Sequence, residues 1–434
     1  MEDKKRKEKG REIEKQNKGI TLVALVITII IIIILATVTI NMAFGDSGLI
    51  KQAKLAKDMA ANSTTAEQEG MNSLMDEYAN LLAEDSEIPP DTRSEIEIAR
   101  DKGTVFDTKT ELEDEHGNKV QVPGGFKIAS DSGLTIQQGV VIEDVSASAD
   151  TAVQGSQYVW IPVGIFTKDD GTTSGNIQLA RYTFDRTNGT PIPHQYAINY
   201  TESISINYDG VEYIEKVIYD EGYENLQSGR NATAKDLKGF IDSVEENGGY
   251  YIARYEASYA SGTTDTVEVG DYANCKTASK ISTENSEESM SYKTGTLWNY
   301  ITQPAASKVA INTYADSTSV KSDLINSYAW DTAIVYIQEA KNPKYSIETS
   351  KNSKLGNTGE NSDEVCKIND LSSNLAEWTT EYSNFFNYQY PYECVLRGGH
   401  FSYDLDMTSN RGMDSPIYSY SSNGFRLILY IPTT

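Results

Sequence analysis

At 434 residues, with 39% hydrophobic and 23% charged positions, the chain is long enough for two or three domains whose cores need no disulfide staples. Its net charge of −25 is uneven: residues 1–19 hold eight Lys or Arg against five Asp or Glu (+3), which leaves −28 on the remainder. A surface of that sign repels phosphate backbones and excludes a nucleic-acid partner. Residues 1–19, MEDKKRKEKGREIEKQNKG, are polar, basic and free of apolar periodicity, so they read as a leader and not as part of a fold. Residues 20–44 carry no charge and include an isoleucine run at 29–34. At about 1.5 Å per helical residue this stretch exceeds a hydrocarbon core of roughly 30 Å, which predicts a transmembrane helix. With the basic flank on the N-terminal side, the N-terminus is expected in the cytoplasm and the rest of the chain outside.

The junction KGITLVALV resembles the processing site of type IV prepilins, where a basic leader ends in glycine. The resemblance implies cleavage by a prepilin peptidase between Gly19 and Ile20, membrane association, and assembly with other pilin-like subunits. Pilins usually carry Glu at the fifth mature position, and this chain has Ala24, which favours a minor or pilin-like role over a major subunit. The alternative is an uncleaved anchor with the same topology. Residues 45–88 follow as a helical stalk: GDSG opens with a turn, and Leu49, Ala53, Ala56, Ala60, Met71, Leu74, Met75, Tyr78, Leu81 and Leu82 recur at helical spacing. Pro89 and Pro90 end it. Residues 89–121 are rich in Asp, Glu, Thr and Lys and read as a linker or exposed loops.

Strand-like composition begins at VQVPGGFKIA (120–129), so the head is taken as residues 122–434. Residues 167–247 read as an irregular insertion with short strands. Two helices are expected, one over 234–246 with Leu237, Phe240, Ile241 and Val244 on one face and Thr233 as N-cap, the other over 320–339 with Leu324, Ala333, Ile334 and Ile337.

Three pieces of the last third, DLSSNLAEWT (370–379), VLRGGHF (395–401) and NGFRL (423–427), resemble in order the C-terminal signature of the formylglycine-generating-enzyme (sulfatase-modifying factor) family. Two weaker echoes, YVWIPVGIF (158–166) and GGYYIARYEAS (248–258), precede them in the family's own order. The resemblance implies an α+β, C-type-lectin-like head with short strands and two flanking helices. The family's oxidase chemistry uses two copper-binding cysteines between the RGG and GFR motifs. Residues 399–424 contain no cysteine, so that chemistry is not carried over and no copper is expected. Cys275, Cys366 and Cys394 lack metal-ligand spacing, and an odd number in an exported chain leaves one thiol outside any intramolecular pair. The resemblance leaves a Cys366–Cys394 bridge open. His116, His194 and His400 are far apart in sequence and form no motif. The family motif at 373–378 contributes to a calcium site, which implies Asn374 and Glu377 as Ca²⁺ ligands. The alternative is that Asn374 caps a turn and Glu377 pairs with Arg397 or Arg426.

The interval HFSYDLDMTSNRGMDSPIYSYSSN (400–423) is dense in Tyr, Ser, Asn and Asp, the residues that binding loops favour for rigid contact area and adaptable hydrogen bonding. In retroelement-diversified C-type-lectin-like proteins, variation falls in this interval, and the resemblance implies a solvent-facing binding surface. His400, Tyr403, Asp404, Asp406, Asn410, Tyr418 and Tyr420 are the expected ligand contacts, with no catalytic residue. The competing reading is that tyrosine, present in 28 copies, is here simply a strand former. The expected function is therefore a surface-anchored, pilin-like adhesion or ligand-binding protein of the bacterial cell surface, or of a pilus, whose extracellular ligand is a glycan or a protein. Alternatives are a divergent modifying oxidase and a structural minor pseudopilin.

Overall fold

Short apolar runs bounded by Gly, Asn and Ser cannot extend far as helix, and they fold as short strands. The structure is a computed structural model that describes residues 91–146, 153–197, 203–216, 236–259, 273–274, 280–281, 296–349, 354–359, 361–383, 386–387, 390–391, 394–416 and 420–433. The described residues from Arg93 onward belong to one unit, Arg93–Thr434. The expected leader, the Gly19–Ile20 junction, the transmembrane segment, the stalk, Thr233, Cys275 and Tyr418 lie outside the described residues. Among the described residues no helix is long and apolar enough to cross a membrane.

The strands of three residues or more are, in chain order, β1 (Thr110–Glu113), β2 (Lys119–Val122), β3 (Phe126–Ile128), β4 (Val141–Asp144), β5 (Gln157–Pro162), β6 (Ala180–Phe184), β7 (Pro191–Tyr196) and β8 (Ser203–Tyr208). They continue as β9 (Val211–Lys216), β10 (Gly249–Ala253), β11 (Lys321–Leu324), β12 (Ala376–Ser383), β13 (Cys394–Arg397), β14 (Arg411–Asp414), β15 (Asn423–Phe425) and β16 (Leu427–Tyr430). Four helices accompany them among the described residues: α1 (Glu95–Lys102), α2 (Leu237–Asn247), α3 (Gln303–Thr313) and α4 (Ser327–Ala340). The fold is α+β, with strands outnumbering helices.

One sheet runs β11-β16-β10-β5-β4-β3, antiparallel throughout. The second runs β14-β13-β12-β9-β8, with β15 added parallel to β12. Every residue of β10 and β16 is buried, which is why LILY reads as a continuous apolar run and not as an alternation. Helix α2 covers this sheet through Phe240, whose ring meets Tyr250 edge-on at 5.2 Å and Tyr430 at 5.7 Å. Helix α4 packs against β5, β6 and β12 and buries all of its residues except Glu339. A helix buried nearly all round belongs to a core, and the polar groups it carries there need partners, as Asp331 has.

Three expectations are corrected. Helix α2 is capped by Asp236, whose side chain accepts from the Gly239 amide at 2.8 Å, and it ends on Gly248 in the left-handed region. The single helix expected over 320–339 is a strand and then a helix. Residues 321–324 pair with β16, and Asn326, its side chain accepting from the Ala329 amide at 2.9 Å, starts α4. Residues 89–121 are not a plain linker: α1, β1 and the start of β2 form there, with Ile96, Leu112 and Val120 in the main core. The insertion over 167–247 does form short strands. It also gives β9 to the second sheet, where Ile214 lies opposite Tyr382 and Tyr213 opposite Ser383.

No disulfide joins Cys366 to Cys394. Cys366 directs its thiol toward the Gln137 carbonyl at 3.6 Å, whereas Cys394 lies buried in β13 opposite Asp414. Burial pushes the Cys366 thiol up to about 12, so it stays protonated and unreactive.

Candidate ligand-binding site

The three C-terminal motifs become neighbours around β12. Glu377 and Trp378 pair with Arg397 and Leu396 of β13 on one side, and with Gly424 and Phe425 of β15 on the other. The two upstream echoes pair as well, since Trp160 of β5 lies opposite Tyr251 of β10, and β10 is hydrogen-bonded to β16. Arg426 joins the two sheets. Its guanidinium donates to both oxygens of Glu377, to the Ala253 carbonyl and to the Asn369 carbonyl, all at 2.6–3.0 Å. Gly398 is the strict glycine of the RGG motif. It has φ +82°, and a Cβ there would stand 2.5 Å from the Leu371 carbonyl oxygen and 3.2 Å from the Trp330 ring.

The chain leaving β13 forms the surface of interest. Arg397 donates from Nε to the Asn410 carbonyl at 2.8 Å, Trp330 donates to the Thr408 carbonyl at 3.2 Å, and the Thr408 and Ser409 amides bond Glu348 and Ser346. These bonds anchor the far end of the 400–410 loop to the core. On the loop itself, His400 Nε2 lies 3.1 Å from Asp406, His400 Nδ1 lies 2.8 Å from the Ser402 hydroxyl, and Asn410 donates to Asp406 at 3.1 Å.

A cavity of about 240 Å³ opens beside this loop, between β12, β13, β14 and the turn before β15. Of the residues expected from sequence, His400, Asp406, Asn410 and Tyr420 line it. Tyr403 and Asp404 lie on the same loop, exposed, outside the cavity. The sequence reading missed Met413, Asp414, Ser422 and Asn423, which also line it. All four sit in the same Tyr/Ser/Asn/Asp-rich interval, so composition marked the stretch, but only strand pairing revealed which of its side chains turn inward. Burial raises the Asp414 carboxyl, partly offset by the Ser415 amide and by Asn423. Tyr420, which lines the cavity, is 45% exposed, and Tyr403 and Leu405 on the adjoining loop are 53% and 69% exposed.

The expected calcium ligands are already engaged. Both oxygens of Glu377 accept from Arg426 in a fully buried ion pair. Asn374, in the left-handed region at φ +60°, accepts from the Gly356 amide and donates to Glu256. With Arg426 neutralising the carboxylate, this arrangement does not fit Ca²⁺ at Asn374 and Glu377, and Arg426 is the partner that the alternative reading named. Among the described residues no group of three or more His, Cys, Asp or Glu is placed to hold a metal. Neither His116 nor His194 lines the cavity. His116 faces Glu115 and Asp169, and His194 bonds the Thr183 hydroxyl.

A larger polar cluster, which the sequence did not disclose, lies behind the cavity. Glu381 of β12 meets Arg181 at 2.5 Å, Arg411 at 3.2 Å and Arg397 at 3.6 Å, while Asp331 of α4 meets Arg397 at 2.5 Å and Arg411 at 2.6 Å. All five side chains are buried. The cluster braces β13 and β14 against α4, and thereby the walls of the cavity.

No family model matches the chain, and no curated protein matches it. Among solved structures it is similar to one titled "Crystal Structure of CarF", with a TM-score of 0.29 and 14% identity over 43% of this chain and 87% of that one. It is also similar to Treponema denticola variable protein 1, with a TM-score of 0.25 and 13% identity over 64% of this chain and 97% of that one. At these scores neither likeness bears on fold or function.

Proposed function

We propose that residues 93–434 form a ligand-recognition head, C-type-lectin-like and related to the formylglycine-generating family but without its oxidase chemistry. In this reading the leader and apolar segment display it at a bacterial cell surface or on a pilus. The observation that carries the reading is the coincidence of the Tyr/Ser/Asn/Asp-rich interval with a cavity and with exposed tyrosines, beside a loop fastened to the core. Such anchoring lowers the ordering cost of binding, because the loop does not have to be immobilised by the ligand.

The test compares the wild type with a Tyr403→Ala/Tyr420→Ala double variant, matched in thermal midpoint, on arrays of glycans and cell-surface proteins. Loss of these two exposed aromatics is expected to weaken capture of the wild type's ligand by ~30-fold or more. Equal capture by both proteins would move the binding surface elsewhere. For display, N-terminal sequencing of the membrane-fraction protein is expected to begin at Ile20, whereas a start at Met1 would leave an uncleaved anchor and sink the pilin-like processing.

A further inference from the structure

We infer that the cavity beside the 400–410 loop takes a basic side chain, an arginine or lysine, presented by a partner protein. The inference rests on reading this surface as the binding site and goes on to name the chemistry it selects. The titratable side chains lining the cavity are Asp406, Asp414 and His400, and no Lys or Arg is among the described residues that line it. Two carboxylates in a concave, partly desolvated setting concentrate negative potential there, and the −28 borne by the chain beyond residue 19 draws basic partners toward it. A volume of about 240 Å³ is smaller than the range typical of drug-sized ligands, so the cavity suits a single side chain.

Two further observations point to an incoming ligand. Asn423, 3% exposed, lines the cavity and directs Nδ2 toward Asp414 without completing a hydrogen bond of normal geometry. A buried amide left in that condition is a cost that a bound group can relieve, by accepting from it or by drawing Asp414 into line. Tyr420, which also lines the cavity, presents a half-exposed ring at its mouth. A guanidinium or ammonium gains from an aromatic face in a way that a neutral group does not. On the adjoining 400–410 loop, the exposed Tyr403 and Leu405 offer apolar area to the polypeptide flanking the basic side chain.

The test follows the ¹³C methyl resonance of Met413, a cavity-lining residue, in full-length protein held in detergent micelles and assigned with Met413→Leu. The probes are N-acetyl-arginine amide, its neutral isostere N-acetyl-citrulline amide, galactose and N-acetylglucosamine. The arginine probe is expected to shift Met413 saturably, with the citrulline probe ~10-fold weaker or worse, as loss of a charge-assisted hydrogen bond implies. Asp406→Asn and Asp414→Asn, each checked for an unchanged thermal midpoint, are expected to weaken the arginine probe by about the same factor. Equal binding of the citrulline and arginine probes overturns the inference. So does a sugar that moves Met413 when the arginine probe does not, an outcome that leaves the recognition surface in place. If no probe moves Met413, the cavity does not select cations. The Tyr403→Ala/Tyr420→Ala comparison then decides separately whether the surface binds anything.

Discussion

Replacing Arg426 with Met is expected to cost about 3–5 kcal/mol, the loss typical of breaking a buried ion pair from one side. Against a total stability of roughly 5–15 kcal/mol, this is enough to unfold much of the population at neutral pH. The guanidinium is fully buried and bonds a β12 carboxylate, the end of β10 and the 369 loop at once. Its removal strands Glu377 in the core. Burial already raises Glu377 above the ordinary carboxylate range, and Arg426 is what opposes that rise, with Asp363 adding to it. In Arg426→Met the native Glu377 therefore binds its proton more tightly than the unfolded chain does. The variant should regain stability as the pH is lowered and lose it as the pH rises through the native value. Urea unfolding at several pH values measures both effects. Adding Glu377→Leu should restore most of the loss, because it is the unpaired charge, more than the missing bond, that destabilises. A single variant within about 1 kcal/mol of wild type at pH 7 would show that the two sheets are not tied at Arg426.

The second large effect is in the pH profile of the wild type, set by two buried glutamates, Glu381 of the cluster and Glu215 of β9, that shift in opposite directions. Burial would raise Glu381, but Arg411, Arg181 and Arg397 outweigh it and hold the carboxyl at about 2. Its contribution is fully present above the ordinary value near 4.5 and is lost as the pH falls toward 2. Glu215 of β9 is pushed up by burial to about 7, with Glu381 adding to the rise and Arg181, the Ser327 amide and the Thr380 hydroxyl opposing it. For Glu215 the native state holds a proton that the unfolded state releases, so stability falls as the pH climbs from about 4.5 to about 7. Each displacement corresponds to about 3 kcal/mol. Asp370, raised to about 7 by burial and by Asp363, adds to the loss on the alkaline side. These groups place the stability maximum near pH 4.5 and not at neutrality. Glu215→Gln should flatten the alkaline arm, whereas Glu381→Gln should lower stability most above pH 4.5, where the wild-type carboxylate is ionised among three guanidiniums, and remove the loss on the acid side. A thermal midpoint that is flat from pH 4.5 to 8 in the wild type, or unaltered by Glu215→Gln, would remove Glu215 from this account.

How much of this was legible in the sequence depended on the range of the interaction concerned. Local signals carried well. The Tyr/Ser/Asn/Asp-rich interval marked the cavity stretch through His400, Asp406, Asn410 and Tyr420, and the apolar spacing of Leu237, Phe240, Ile241 and Val244 marked α2, because composition and periodicity are properties of a few consecutive residues. The order of the five motifs also anticipated a set of paired strands, although no spacing stated which strand would lie beside which. The failures were contacts between residues far apart in the chain. Residues 321–324 read as helix because their neighbours do, and they became a strand because β16, a hundred residues on, offered an edge to pair with. For Glu377 the resemblance implied a calcium ligand and the alternative was an ion pair with Arg397 or Arg426; the parallel pairing of β12 and β15 puts Arg426 against it. The cluster of Arg181, Asp331, Glu381, Arg397 and Arg411 had no sequence signature, since charged residues are ordinarily exposed and only their convergence makes burial tolerable. The sequence by itself determined the charge, the α+β composition and the stretch rich in binding-type residues. Tertiary structure decided which of those residues face one cavity, because a carboxylate's role is set by the distant partner that folding brings to it.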